Sequence, residues 1–343
     1  MGGSTELRQD PATRNWVVVA PERSRRPDTF GQPRRRGPDE SSCPFCPGRE
    51  AETPDEVWRL NADDGTWQVR VVPNKFPVLA GNGSRRRHTS PEGFVSMAGV
   101  GRHEVVIESY WHADDLANVS EEAVRRVLEA YRARYRALRD EGAAVIVMFR
   151  NHGPGAGTSL SHPHSQIVAT PVVPIEIRHR FDVAMQHYDD LGTCLYIDIV
   201  EHELLDGRRI VLQSERFVAF QPFASATPFE TWVMPRFHQS TFGDVDDAGL
   251  DGLASVLRAV LGGLRRALDD PDYNFVIYSA PPGDEDREYF VWHLRIVPRL
   301  LTPAGFELGS GIPVNPSRPE ETATTLRRSV EEEVSARRAS APR

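Results

Sequence analysis

The stretch GTSLSHPHSQIVATP, residues 157–171, constrains this chain more than any other. Side chains alternate between the two faces of an extended strand, so His162, His164 and Gln166 project to one side. The β-branched Ile167 and Val168 that follow favour the extended form. Just before them lies NHGPGAGTS (151–159), where glycines at 153, 155 and 157 let backbone N–H groups close on an anion. An imidazole beside such a cradle points to attack at phosphorus. An amide two residues further on can hydrogen-bond a non-bridging oxygen as charge develops there. The plain alternative, two packed histidines beside a turn, leaves the cradle and the amide unexplained.

Around this strand the chain repeats itself. WVVVA (16–20), VWRL (57–60), QVRVVPNKFPVL (68–79) and HEVVIES (103–109) read as strands. SEEAVRRVLEAYRARYRALRD (120–140) has apolar residues at helical spacing behind a Ser N-cap and an acidic first turn, which predicts a helix. The apolar run AAVIVMFRNHG (143–153) then leads through the glycine loop to the histidine strand. The second half runs in the same order. RFVAFQPFASATPFETWVMPRFHQS (216–240) gives two strands, 246–270 a helix, YNFVIYSAPPG (273–283) a strand and loop, and YFVWHLRIVPRL (289–300) a last strand with its own histidine. We read an internal duplication with a period of about 130 residues. The expected fold is α+β, with antiparallel sheets each carrying one long helix. The halves are placed at 1–172 and 173–335, with a flexible polar tail at 336–343.

Composition narrows the function classes. The chain has 343 residues, 39% hydrophobic and 26% charged, as a soluble globular protein does. A formal charge of −8 gives no global attraction to nucleic acid or anionic membrane. Arginines nevertheless cluster at RSRRPDTFGQPRRR (23–36) and SRRRH (84–88), as solvated loops or as phosphate contacts. No run of eighteen apolar residues and no leader pattern occurs, so a cytoplasmic, non-membrane protein is expected. Two of the three cysteines, Cys43 and Cys46, form CPFC. That spacing suits a metal better than a disulfide framework and supplies half of a tetrahedral zinc site.

SHPHSQIVATP resembles the active-site signature of the histidine-triad superfamily, and its H-P-H-x-Q form is similar to that of the galactose-1-phosphate uridylyltransferase family. The likeness runs through ELRQDPATRNWVVVAPERSRRPDTF, CPFCPG, VVPNKFPVL, HEVVIESYWH, FRNHGPGAGTS, PFASATPFETWVMP and AGFELGSGIPVNP in order, nearly the whole chain. The last block also looks like that of ADP-glucose phosphorylases. The resemblance implies a duplicated histidine-triad fold and a homodimer that exchanges a nucleoside monophosphate between a nucleotide sugar and a hexose 1-phosphate, with uridylyl transfer from UDP-glucose to galactose 1-phosphate as the expected reaction. His164 would be the nucleophile that takes the nucleoside monophosphate in a ping-pong cycle, and Gln166 would contact the transferring phosphoryl group. Phosphate and nucleotide binding would fall to Ser159, Gly157, Asn151, Asn74, Arg23 and Arg26. Phe306 and Glu307 would meet the sugar. His112 and His162 would complete one structural zinc site with Cys43 and Cys46.

Some members carry a second metal. Here the matching positions are Glu176, Tyr278, His293 and Arg295, and a guanidinium repels a cation. That site is expected to be empty, with Cys194 and His293 as packing residues. Two other acceptors would use the same residues. Phosphate would make the protein a nucleotide-sugar phosphorylase. Water would make it a dinucleotide hydrolase, although Gln166 stands where such hydrolases carry a third histidine. A zinc-dependent binding protein without catalysis is the reading from another class, and no aromatic residues interleaved with basic ones support it.

Overall fold

The computed structural model describes residues 4–25, 40–81 and 83–340. The first half comprises β1 (Glu6–Gln9), β2 (Trp16–Val19), β3 (Trp58–Asn61), β4 (Trp67–Pro73), the short ladder β5 (His88–Thr89) and β6 (Val95–Ser96), β7 (Arg102–Ile107), α1 (Glu121–Asp140), β8 (Val145–His152) and β9 (His164–Thr170). Then come α2 (Ile175–Leu191), α3 (Leu195–Asp206), β10 (Ile210–Gln213), β11 (Phe217–Phe220), β12 (Thr231–Pro235), α4 (Asp247–Leu268), β13 (Tyr273–Tyr278), β14 (His293–Pro298), α5 (Gly305–Ser310), β15 (Val314–Asn315) and α6 (Pro319–Ser340).

Ten strands form one antiparallel sheet in the order β3-β4-β7-β9-β8-β13-β14-β12-β11-β10. Each half contributes five, arranged first, second, third, fifth, fourth, with a long helix between the third and fourth: α1 in one half, α4 in the other. The fourth strands meet, β8 against β13, with Asn151 opposite Asn274. The duplication read from the sequence is therefore a repeated topology, and its two half-sheets fuse into one. A separate three-stranded sheet joins β1, β2 and β15.

α1 starts where Ser120 Oγ accepts the Ala123 N–H, and Val124, Val127, Leu128, Tyr131, Tyr135 and Leu138 are buried along one side at helical spacing. α4 is capped likewise by Asp246 on the Gly249 N–H. Val106 and Ile167 of the sheet join the core that these two helices cover. Their neighbours Val105 and Ile107 point the other way and pack with Cys43, Phe45 and Cys46. α2 and α3 cover that opposite face over the second half, through Phe181, Tyr196 and Ile199.

Two expectations need correction. The second half carries more than one long helix: α2, α3 and α6 were not anticipated. Residues 336–340, expected as flexible tail, continue α6, which packs on α4 where Gly263 leaves room for Val330. Any Cβ at Gly263 would collide with that valine. Among the described residues, no helix is long and apolar enough to cross a membrane.

Candidate active site and metal centre

β8 ends at His152, and the chain returns as β9 at His164. The loop between them turns on Gly153 and Gly157, at φ 80° and 92°, a backbone region that side chains with a Cβ resist. The second half holds this loop. Asn274 Nδ2 donates to the Ala156 carbonyl at 2.9 Å and to Asn151 Oδ1 at 2.8 Å, and Asp272 accepts the Gly155 N–H. Loop and strand ends enclose a cleft of about 410 Å³. His112, Asn151, Ser159, His162 and His164 line it, with Arg150, His152 and Asp270.

The ligand atoms of Cys43, Cys46, His112 and His162 lie within 4.8 Å of one another, so the four can hold one metal ion. Cys46 Sγ is 3.2 Å from His112 Nδ1 and 3.6 Å from His162 Nδ1. Each imidazole is steered by its other nitrogen: His162 Nε2 donates to the Ser109 carbonyl at 2.8 Å, and His112 Nε2 bonds Ser161 Oγ at 2.9 Å. Both rings thus turn Nδ1 toward the thiols, the usual way a protein fixes a metal-binding tautomer. Burial, then the neighbouring Cys43, pushes the Cys46 thiol up to about 12. Burial likewise lowers His162 to about 4. Two buried thiols facing two neutral imidazole nitrogens are a donor set that fits zinc.

His164 is buried, and its Nδ1 lies 2.8 Å from the His162 carbonyl. Only N–H can face a carbonyl oxygen, so Nε2 keeps its lone pair. Burial, with the Arg150 charge, lowers the His164 pKa and favours this neutral form. The ring stands 5.5 Å from the Phe45 ring, beside the metal cluster. Gln166, two residues on, bonds His103 Nε2 through Oε1 at 2.7 Å, and Asn74 Nδ2 lies 3.1 Å from that same nitrogen. His103 was not anticipated. A lone histidine at a strand start carries no signal in the sequence.

Behind the cleft, Arg150 is fully buried between Glu108 (2.9 Å), Asp115 (2.8 Å) and the Tyr273 hydroxyl. His152 stacks on Tyr273 and bridges Asp115 at 3.1 Å and Asp270 at 3.2 Å. Burial alone would lower the His152 pKa, but the two carboxylates prevail and raise it. A raised histidine contributes stability fully below its unfolded value of ~6.5 and loses it as pH climbs through the folded one. His152→Gln should therefore cost about 1–2 kcal/mol at pH 6 and much less near pH 9. Urea unfolding of both proteins across this range checks it, and a pH-independent difference contradicts the bridge.

The remaining expected residues lie elsewhere. Arg23 is exposed on the 3-10 turn Pro21–Arg25 and does not line the cleft, and Arg26 lies outside the described residues. Phe306 and Glu307 sit on exposed α5, where Glu307 accepts the Ala304 N–H, and neither lines the cleft. In the second half, His293 begins β14 as His164 begins β9, and its Nδ1 also bonds the carbonyl two residues back, that of Val291. The ring is fully buried among Tyr196, Trp232 and Tyr278. Arg295, in Gln166's relative place, pairs with Glu230 at 2.7 Å, and Glu176 is exposed on α2. This half keeps the strand plan and seals it with aromatic rings.

Fold and cleft define a nucleotide-handling enzyme class built on a duplicated histidine-triad plan. The profile of the galactose-1-phosphate uridyl transferase N-terminal domain matches residues 3–174. An ADP-glucose phosphorylase from Arabidopsis thaliana is 36% identical over 94% of this chain and 93% of its own. A galactose-1-phosphate uridylyltransferase from Thermotoga maritima is 27% identical over 94% of this chain and 98% of its own. The crystal structure of the Arabidopsis thaliana phosphorylase with bound ADP-glucose superposes with a TM-score of 0.81 at 34% identity, over 94% of this chain and 99% of that one. The chain belongs to the galactose-1-phosphate uridylyltransferase family and is an enzyme of its transferase and phosphorylase class.

Proposed function

We propose that this enzyme moves a nucleoside monophosphate from a nucleotide sugar to a phosphate acceptor, by way of a covalent nucleotide on His164. The observation that carries the reading is the His164 Nδ1 bond to the His162 carbonyl, which turns an unprotonated Nε2 toward the cleft beside the glycine loop. Nε2 attacks the α-phosphorus and a P–N bond forms. The P–O bond to the hexose phosphate breaks, and hexose 1-phosphate leaves. An acceptor phosphate oxygen then attacks the same phosphorus, the P–N bond breaks, and His164 is restored. Gln166 donates its amide to a non-bridging oxygen as negative charge grows. Ser159 and the loop around Gly157 receive the phosphates, Asn74, Asn151, Arg23 and Arg26 hold the nucleotide, and Phe306 and Glu307 meet the sugar. Cys43, Cys46, His112 and His162 would hold a zinc ion, whose role would be to fix the strand start that aims His164. Phe306 and Leu308 are 55% and 77% exposed on α5, outside the cleft, an arrangement suited to completing a neighbour's site in a homodimer.

The greater identity to the Arabidopsis thaliana phosphorylase favours an ADP-hexose donor and inorganic phosphate as acceptor, giving hexose 1-phosphate and ADP. Uridylyl transfer from UDP-glucose to galactose 1-phosphate is the second reading, supported by the Thermotoga maritima relative and the H-P-H-x-Q strand. Intact-protein mass spectrometry after incubation with ADP-glucose, UDP-glucose and GDP-mannose separately distinguishes them, because the added mass names the nucleotide. An adenylyl adduct discharged by phosphate to ADP is expected. A uridylyl adduct discharged by galactose 1-phosphate establishes the second reading. The absence of any adduct, together with intersecting double-reciprocal plots, overturns the covalent mechanism.

A further inference from the structure

We propose that His103 is a positioning residue that sets which end of the Gln166 amide faces the reacting phosphoryl group. The inference rests on the transfer reading above and adds a residue to it. His103, on β7, is buried, and Val105, next but one along the strand, pairs with Gln166 on β9. Its Nδ1 accepts the backbone N–H of Val78 at 3.1 Å. A backbone amide nitrogen can only donate, so Nδ1 carries no proton, and in a neutral ring Nε2 must carry it. Nε2 therefore donates, and the Gln166 atom 2.7 Å away must be the carbonyl oxygen. That fixes the amide: with Oε1 taken by His103, the two N–H bonds of Gln166 are left for an acceptor. Negative oxygen on a transferring phosphoryl group is such an acceptor.

Segment 74–78 grips the histidine from both ends: the Asn74 backbone N–H bonds the His103 carbonyl at 2.8 Å, and the Val78 N–H reaches Nδ1. Asn74 Oδ1 accepts the Phe76 N–H at 2.8 Å, so the Asn74 atom 3.1 Å from His103 Nε2 is its amide NH₂. Two donors do not bond one another, so that contact is packing and the Nε2 proton is directed to Gln166. The second half repeats the cross-strand coupling with reversed chemistry. There Glu230, just before β12, accepts from Arg295, two residues past His293. In each half a residue in or just before the third strand of the plan holds the side chain two places after the strand's histidine. In the first half that partner is a donor, so the held group is presented with its own donors outward.

The chemistry predicts opposite effects for two substitutions of similar size. His103→Gln can still donate an N–H to Gln166 Oε1, and it should keep turnover within about threefold. His103→Glu can only accept when ionised, so it should draw the Gln166 NH₂ toward itself and present Oε1 to the phosphoryl group. Its kcat should fall about 10²-fold, with KM for the nucleotide sugar moving far less, since the lost contact strengthens only as charge develops. His103→Glu should cost little more in a Gln166→Ala background, because the histidine acts through that amide. Metal content and thermal midpoint, measured on every variant, separate this from a general loss of fold. Should His103→Glu fail to fold, His103→Leu, which also removes the donor, serves in the same cycle against His103→Gln. Equal activities of the donor and non-donor variants, or losses at 103 and 166 that multiply, overturn the inference while the transfer reading stands. A wild-type protein inactive with every nucleotide sugar overturns both.

Discussion

Replacing His164 with glycine is expected to stop transfer while leaving fold and metal in place. His164 is not among the four clustered metal donors, and its side chain lines the cleft, so its removal leaves a hole beside the glycine loop. Turnover should fall by ~10⁴ or more, as it does when the residue forming a covalent intermediate is lost. Added imidazole can enter that hole and attack the nucleotide sugar, releasing hexose 1-phosphate and a nucleoside phosphorimidazolide. His162→Asn is expected to differ. Its ring belongs to the metal cluster and bonds the Ser109 carbonyl, so metal retention and stability should drop, with no rescue by imidazole. Rescue at 162 rather than 164, or near-normal turnover of His164→Gly, would reverse the assignment of the two histidines.

The parts of this fold that were legible are those whose local chemistry agrees with their tertiary role. α1 has its Ser120 cap and a continuous buried stripe, and the β8–loop–β9 unit is marked by glycines that its turns require. The clustering of Cys43, Cys46, His112 and His162 was reached through the family resemblance, since nothing in spacing ties His112 to a cysteine pair 66 residues earlier. The missed elements follow a different logic. α2 starts after Pro174 without a side-chain cap and buries Arg180 beside Phe181, which blurs its apolar face. α6 carries little helical signal in the sequence because the residues it buries are small or isolated: Ala323, Leu326, Val330 and the polar Thr322 and Ser329. It packs by coming close to α4 at Gly263, a property of the partner helix rather than of its own sequence. The bond from His103 to Gln166 and the loop contacts of Asp272 and Asn274 cross between strands, and no linear pattern announces them.

The largest effect on stability is expected at the metal cluster. The segment bearing Cys43 and Cys46 is held to the sheet by a small apolar group, chiefly Phe45, Trp67, Val72, Val105 and Ile107. Trp67 also donates its indole N–H to Glu50 at 2.9 Å. Without a cation, Cys46 can offer the two unprotonated imidazole nitrogens only weak S–H hydrogen bonds, at 3.2 and 3.6 Å. Structural zinc binding contributes about 10–16 kcal/mol in small zinc-binding peptides, and this contribution appears as folding free energy. Cys43→Ser keeps the size of the side chain and removes a thiolate, so even a partial loss of that contribution, ~4 kcal/mol, should lower the thermal midpoint by ~5 °C. Native protein should carry about one equivalent of zinc by elemental analysis, the variant little or none, and prolonged chelation should bring the wild type toward the variant's midpoint. His164 activity should decline with the metal, because His162, a ligand, lies two residues from it on the same strand entry and its carbonyl anchors the nucleophile's Nδ1. Two equivalents of metal in carefully prepared protein, or a Cys43→Ser variant that retains both its metal and its midpoint, would show that the cluster is not the chain's structural centre.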